Sequence, residues 1–159
     1  MIIDEFYRLS AALTGYDEVD LLGTGVGDQY YDVLINLIPR QHLENLATQF
    51  NLITDSCQTT WDSQIRQQLL SNPLFGPVCR NIIKMWYLSN WYPMPTQWRT
   101  EYGVPTQTSH KYDDVEFVIS DEAYQEGLVW DAIGAHPMGA KQPGYATWSF
   151  QPDDLTPYK

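Results

Sequence analysis

Asn72-Pro73-Leu74-Phe75-Gly76-Pro77-Val78-Cys79-Arg80-Asn81-Ile82-Ile83-Lys84-Met85-Trp86-Tyr87 carries the clearest helix signal in the chain. Asparagine is a favoured N-cap, and proline at the first helical position gives up an N–H that has no partner there anyway. Leu74, Val78, Ile82 and Met85/Trp86 then recur at three- and four-residue steps, which places them on one apolar face. A helix with such a face needs other helices to bury it.

Towards the N-terminus the same period returns. Phe6, Leu9, Ala12 and Leu13 form one stripe, closed by Gly15 where a helix C-cap falls. Asp17 or Asp20 caps a second stripe running Leu22, Val26, Tyr30, Val33, Leu34 and Leu37, which Pro39 punctuates. Shorter stripes follow at Leu43, Leu46, Ala47 and Phe50, and at Trp61, Ile65 and Leu69. Towards the C-terminus the pattern stops. Pro93, Pro95, Gly103 and Pro105 mark 90–119 as a long irregular loop. Ser120 caps a last helix over 120–134, with Asp121 and Glu122 in its first turn, where carboxylates suit the helix dipole. Residues 135–159 are rich in Gly and Pro yet hold Tyr145, Trp148 and Phe150, so this tail is expected to dock on something. The expectation is one all-α domain: a helical core over 1–89 and about five to six helices in all, with a loop and an aromatic docking tail.

Composition agrees with a single core. The chain has 159 residues and is 43% apolar. Six tryptophans and eleven tyrosines exceed the usual share, and these residues anchor interfaces as well as cores. Twenty acids against nine bases give a net charge of −11, which repels phosphate backbones and anionic lipid. No apolar run approaches the roughly 20 residues that cross a bilayer.

Candidate chemistry is sparse. Gly23, Gly25 and Gly27 lack the preceding strand and the spacing of a phosphate loop, and close helix packing explains them better. His42, His110 and His136 lie far apart and match no metal spacing. Asp113, Asp114 and Glu116 lack the alternation and glycine of a calcium loop and read as a solvated face. Cys57 and Cys79 are either a disulfide or two buried thiols. The sequence contains no nucleophile elbow, and nothing singles out a carboxylate pair. No catalytic, cofactor-binding or metal residue is therefore expected in this chain. What remains is an aromatic concentration at Trp86-Tyr87, Trp91-Tyr92 and Trp98, which either completes the core and covers the loop or forms a docking surface.

Four stretches then carry a resemblance. Phe6-Tyr7-Arg8-Leu9-Ser10-Ala11-Ala12-Leu13-Thr14-Gly15, Ile82-Ile83-Lys84-Met85-Trp86-Tyr87, Tyr124-Gln125-Glu126-Gly127-Leu128-Val129-Trp130 and Pro143-Gly144-Tyr145-Ala146-Thr147-Trp148 stand in this order. The chain thereby resembles the small subunit of FAD-dependent membrane sugar and polyol dehydrogenases, the sorbitol, fructose, gluconate and glucose types. The resemblance implies an all-helical, non-catalytic subunit bound to a large flavoprotein. That partner would carry FAD and an iron–sulfur cluster and pass electrons to a c-type cytochrome and on to quinone. The small subunit would assist the partner's maturation and export, and the complex would be periplasmic at the inner membrane. Two departures stand out. Gly127 replaces the family's usual alanine, and His136 to Gln142 has no cysteine for covalent attachment, so the union is expected to be noncovalent. A further departure is that no twin-arginine signal occurs in this sequence, as expected either of a processed or trimmed chain or of a product without the export role. Trp86, Tyr87, Trp91, Tyr145 and Trp148 are the interface residues this reading selects. A soluble carbohydrate-binding module is the alternative, since aromatic faces stack on sugar rings.

Overall fold

The computed structural model describes residues 1–55, 58–103 and 111–138. Helices dominate: α1 (Ile3–Thr14), α2 (Glu18–Gly23), α3 (Gly27–Leu37), α4 (Arg40–Thr54), α5 (Trp61–Gln64), α6 (Phe75–Leu88), α7 (Thr96–Tyr102), α8 (Asp121–Gln125) and α9 (Leu128–Ala132). A 3₁₀ turn (Gln58–Thr60) precedes α5, which continues into a π-helical segment (Ile65–Leu70). Among the described residues the only sheet is a two-stranded antiparallel ladder, β1 (Asn90–Trp91) on β2 (Phe117–Val118). The all-α class expected from the sequence is the class observed.

The stretch from Asn72 works as read. Its Oδ1 accepts from the N–H groups of Leu74 (2.9 Å) and Phe75 (3.2 Å), and its carbonyl accepts from Gly76 N–H at 2.8 Å. Those bonds satisfy donors that a helix start leaves open. The regular helix begins at Phe75, two residues later than the proline suggested. Its buried face carries Val78, Ile82, Met85 and Trp86, and it forms the centre of the core. Phe6 of α1 stacks on Trp86 at 6.2 Å, and Tyr30 of α3 meets it edge-on at 4.8 Å. Each such ring is worth about 2–3 kcal/mol in burial alone.

Elsewhere the boundaries shift. The stripe from Leu22 to Leu37 is two helices, not one. Asp17 Oδ1 caps α2 by accepting from Asp20 N–H at 2.8 Å, and the chain then turns at Gly25 (φ 69°) before α3. Leu22 consequently points out and is 54% exposed. The helix expected over 120–134 also divides. Ser120 does cap α8, accepting from Ala123 N–H at 2.9 Å, but extended backbone at Gly127 separates α8 from α9.

Between 90 and 119 the described residues are more ordered than their prolines suggest. Met94 and Trp98 are buried, α7 lies between Pro95 and Gly103, and Trp98 Nε1 donates to Leu74 O at 2.8 Å. Pro95 here starts an element, as the N-cap of α7, rather than merely breaking one.

Candidate functional site

The residues selected from sequence fall in three different places. Trp86 and Trp91 are both 0% exposed, which corrects their assignment to a contact surface: they are core. Trp86 is enclosed by Phe6, Tyr7 and Tyr30, and Trp91 Nε1 is spent on Asp114 at 2.9 Å. Tyr87 is half-buried and does lie at a junction. Its hydroxyl donates to Thr14 O at 2.9 Å, and its ring meets Tyr16 edge-on at 6.3 Å. Tyr145 and Trp148 lie outside the described residues, as do His110 and Cys57. The Cys57–Cys79 question therefore lies outside them too. Cys79 is fully buried on α6, and burial pushes its thiol up to about 12.

The acidic group around 113–116 also needs correcting. Asp113 and Glu116 are exposed, as a solvated face requires. Asp114 is turned inward, with a side chain 7% exposed. Its carboxylate accepts from Trp91 Nε1 (2.9 Å) and from Met94 N–H (3.0 Å), and Arg99 Nε lies 3.8 Å away. It is a structural clamp. His42 is structural as well, its Nε2 lying 3.0 Å from Tyr102 O while the ring packs against Trp98 and Tyr102. Of the three glycines, Gly27 alone bears out the packing explanation, because a Cβ there would collide with the Tyr7 hydroxyl and ring. Gly23 and Gly25 correct it, since a Cβ at either would meet nothing within 4 Å and Gly25 serves the turn instead.

Three of the four sequence stretches meet in space. The first (α1 to Gly15) is joined to the second (the end of α6) by the Tyr87–Thr14 bond and the Phe6–Trp86 stack. The third (α8–α9) is joined to the second through Ser89, whose Oγ donates to Ala123 O. Ser89 takes a left-handed conformation (φ 59°) that ends α6, and its carbonyl accepts from Ile119 N–H at 2.9 Å. Gly127 fits against the same corner. An added Cβ would lie 3.0 Å from Ser89 Oγ and 3.1 Å from Tyr87 O, so an alanine there requires its neighbours to give by a few tenths of an ångström. Tyr16 then ties α2's approach to α9 by donating to Asp131 Oδ2 at 3.0 Å.

Beside this junction lies an open groove of about 480 Å³ between the start of α2 and the α8–α9 corner. Its lining includes Tyr16, Asp20, Glu126, Trp130, Asp131 and His136. Burial, and then the bond to Asp131, raise the Tyr16 pKa above its ordinary value, with Asp20 adding to the effect. Burial pushes Tyr30 up to about 12, with Glu126 contributing in the same direction. The field here is negative. Sequence reading missed Ser89, Asp114 and the Tyr16–Asp131 pair. A serine in the left-handed position gives no glycine or asparagine signal, and the Asp114 and Asp131 partners lie far away in the chain.

Among the described residues no group of histidines, cysteines and carboxylates is arranged to hold a metal ion, and no helix is long and apolar enough to cross a membrane. Compared with protein-family models, with curated proteins and with solved structures, the chain matches none.

Proposed function

We propose that this chain is the non-catalytic small subunit of an FAD-dependent sugar or polyol dehydrogenase. In this role it binds and steadies a large flavoprotein and assists its maturation and export to the periplasm. FAD and an iron–sulfur cluster belong to that partner, and electrons leave it through a c-type cytochrome to quinone. The observation that carries the reading is the convergence of Phe6–Gly15, Ile82–Tyr87 and Tyr124–Trp130 on one corner, held by the Tyr87–Thr14 and Ser89–Ala123 bonds. These stretches, widely separated in sequence, are the ones that resemble the small subunits. A fourth, Pro143–Trp148, begins in sequence six residues after the groove-lining Pro137 and lies outside the described residues.

The carbohydrate-module alternative rests on surplus tryptophan and tyrosine. Trp86, Trp91 and Trp98, at most 3% exposed, offer it no face for a sugar ring, which leaves it the half-buried Trp61 and Trp130 and the tyrosines.

The test is genetic. A native-host strain lacking this chain is expected to lose membrane-associated, flavin-dependent oxidation of one sugar or polyol and to regain it with the wild-type chain. A Trp148→Ala chain is expected to restore it poorly. Full dehydrogenase activity without the chain would end the reading.

A further inference from the structure

The charges of this protein are unevenly placed. No lysine or arginine occurs between Arg8 and Arg40, or between Lys111 and Lys141. Those two stretches hold five and seven of the twenty acids. They are also the stretches that build the groove. Its lining contributes Asp20, Glu126 and Asp131 and no lysine or arginine. A cavity with low-dielectric walls and one sign of charge concentrates that field at its mouth.

Apolar exposure gathers at the same place. Met138 (82%), Val19 (75%) and Ile133 (64%) are the most exposed large hydrophobic residues described. Each is within two positions of a groove-lining residue: Val19 beside Asp20, Ile133 between Asp131 and Ala135, and Met138 after Pro137. Exposed apolar side chains around a charged cleft are the ingredients of a protein interface rather than of a small-ion site. An aliphatic stem ending in a cation suits both parts, with the stem on Tyr16 and Trp130 and the charge among the carboxylates.

We propose that the groove between α2 and the α8–α9 corner seats a basic side chain, lysine or arginine, from an apolar-flanked patch of the flavoprotein partner. This inference rests on the accessory-subunit reading and names the surface that performs it. The partner's patch is complementary in charge, so assembly is steered electrostatically and weakens with salt.

The experiment compares tagged full-length chains expressed in the native host, read as flavin absorbance recovered per chain at low and at high salt. Asp20→Arg and Ile133→Arg are changed singly and together, and Leu52→Arg on α4, also at an exposed apolar position, is the control. Circular dichroism and the thermal midpoint establish that each variant is folded. The double variant is expected to recover at least about tenfold less flavin than wild type, the control to match wild type, and wild-type recovery to fall at high salt. If either single variant fails to fold, the other and the salt series decide the matter. Undiminished flavin with the folded variants overturns the groove and leaves the accessory reading standing. No flavin with the wild-type chain removes both.

Discussion

Replacing Asp114 with alanine removes one carboxylate that serves two buried donors. Trp91 is 0% and Met94 1% exposed, and their N–H groups lie 2.9 and 3.0 Å from Asp114 Oδ1. Hydrogen bonds to a charged acceptor are worth about 1.5–3 kcal/mol each, and a buried donor left without a partner costs about 1–3 kcal/mol. The Arg99 guanidinium, 3.8 Å away and 43% exposed, adds little. Asp114→Ala should therefore cost about 3–5 kcal/mol, a large share of the roughly 5–15 kcal/mol that holds a domain together. At about 2–4 °C per kcal/mol for a chain of this size, the thermal midpoint should fall by about 10 °C. Asp114→Asn keeps an acceptor and should cost about 1–2 kcal/mol. Urea unfolding followed by tryptophan fluorescence measures each step, with exposed Asp113→Ala as the control, expected within about 0.5 kcal/mol of wild type. Equal losses for Asp114→Ala and Asp113→Ala would refute the clamp and the order assigned to residues 90–94.

Three further outcomes follow from the same geometry. Gly27→Ala drives a methyl into the Tyr7 ring and should cost about 1–3 kcal/mol in denaturant unfolding; a neutral result would mean that α1 and α3 pack less closely than described. Asp32 is partly buried, which alone would raise its pKa, yet hydrogen bonds from Lys111 and Tyr112 hold it below its ordinary value. Its stabilising share is thus present above an unfolded pKa of about 3.9 and lost as pH falls through the lower folded value, so Asp32→Asn should lower the midpoint at neutral pH and flatten its acid decline. In a Cys57→Ser chain, Cys79 is the sole cysteine, and its buried thiol should ignore a thiol reagent until denaturant is added. Rapid labelling of the native chain would contradict its burial.

Much of the helical core was legible because its signals are local. The Asn72-Pro73 start, the Ser120 cap and the Gly15 end depend on residues a turn apart, and each appears at or near its expected place. The boundaries that moved depend on distant partners. The stripe from Leu22 to Leu37 keeps its helical period across a turn at Gly25, so periodicity alone could not divide it. The last helix is interrupted at Gly127, where the chain packs against Ser89 and Tyr87, residues some forty positions earlier. The site was harder to read. Trp86 and Trp91 carried the aromatic signal that suggested an interface, but the same ring area satisfies a core, and burial decides between the two. The charge asymmetry was open to inspection throughout. Its meaning appears only once α2 and α9 are seen to share one groove.

The most direct test of the accessory-subunit proposal is to purify the tagged chain from its native host and record the absorption spectrum of the eluate. Flavin absorbance from a co-eluting large subunit, accompanied by c-type haem bands, is the predicted result. A colourless, monomeric chain would contradict it.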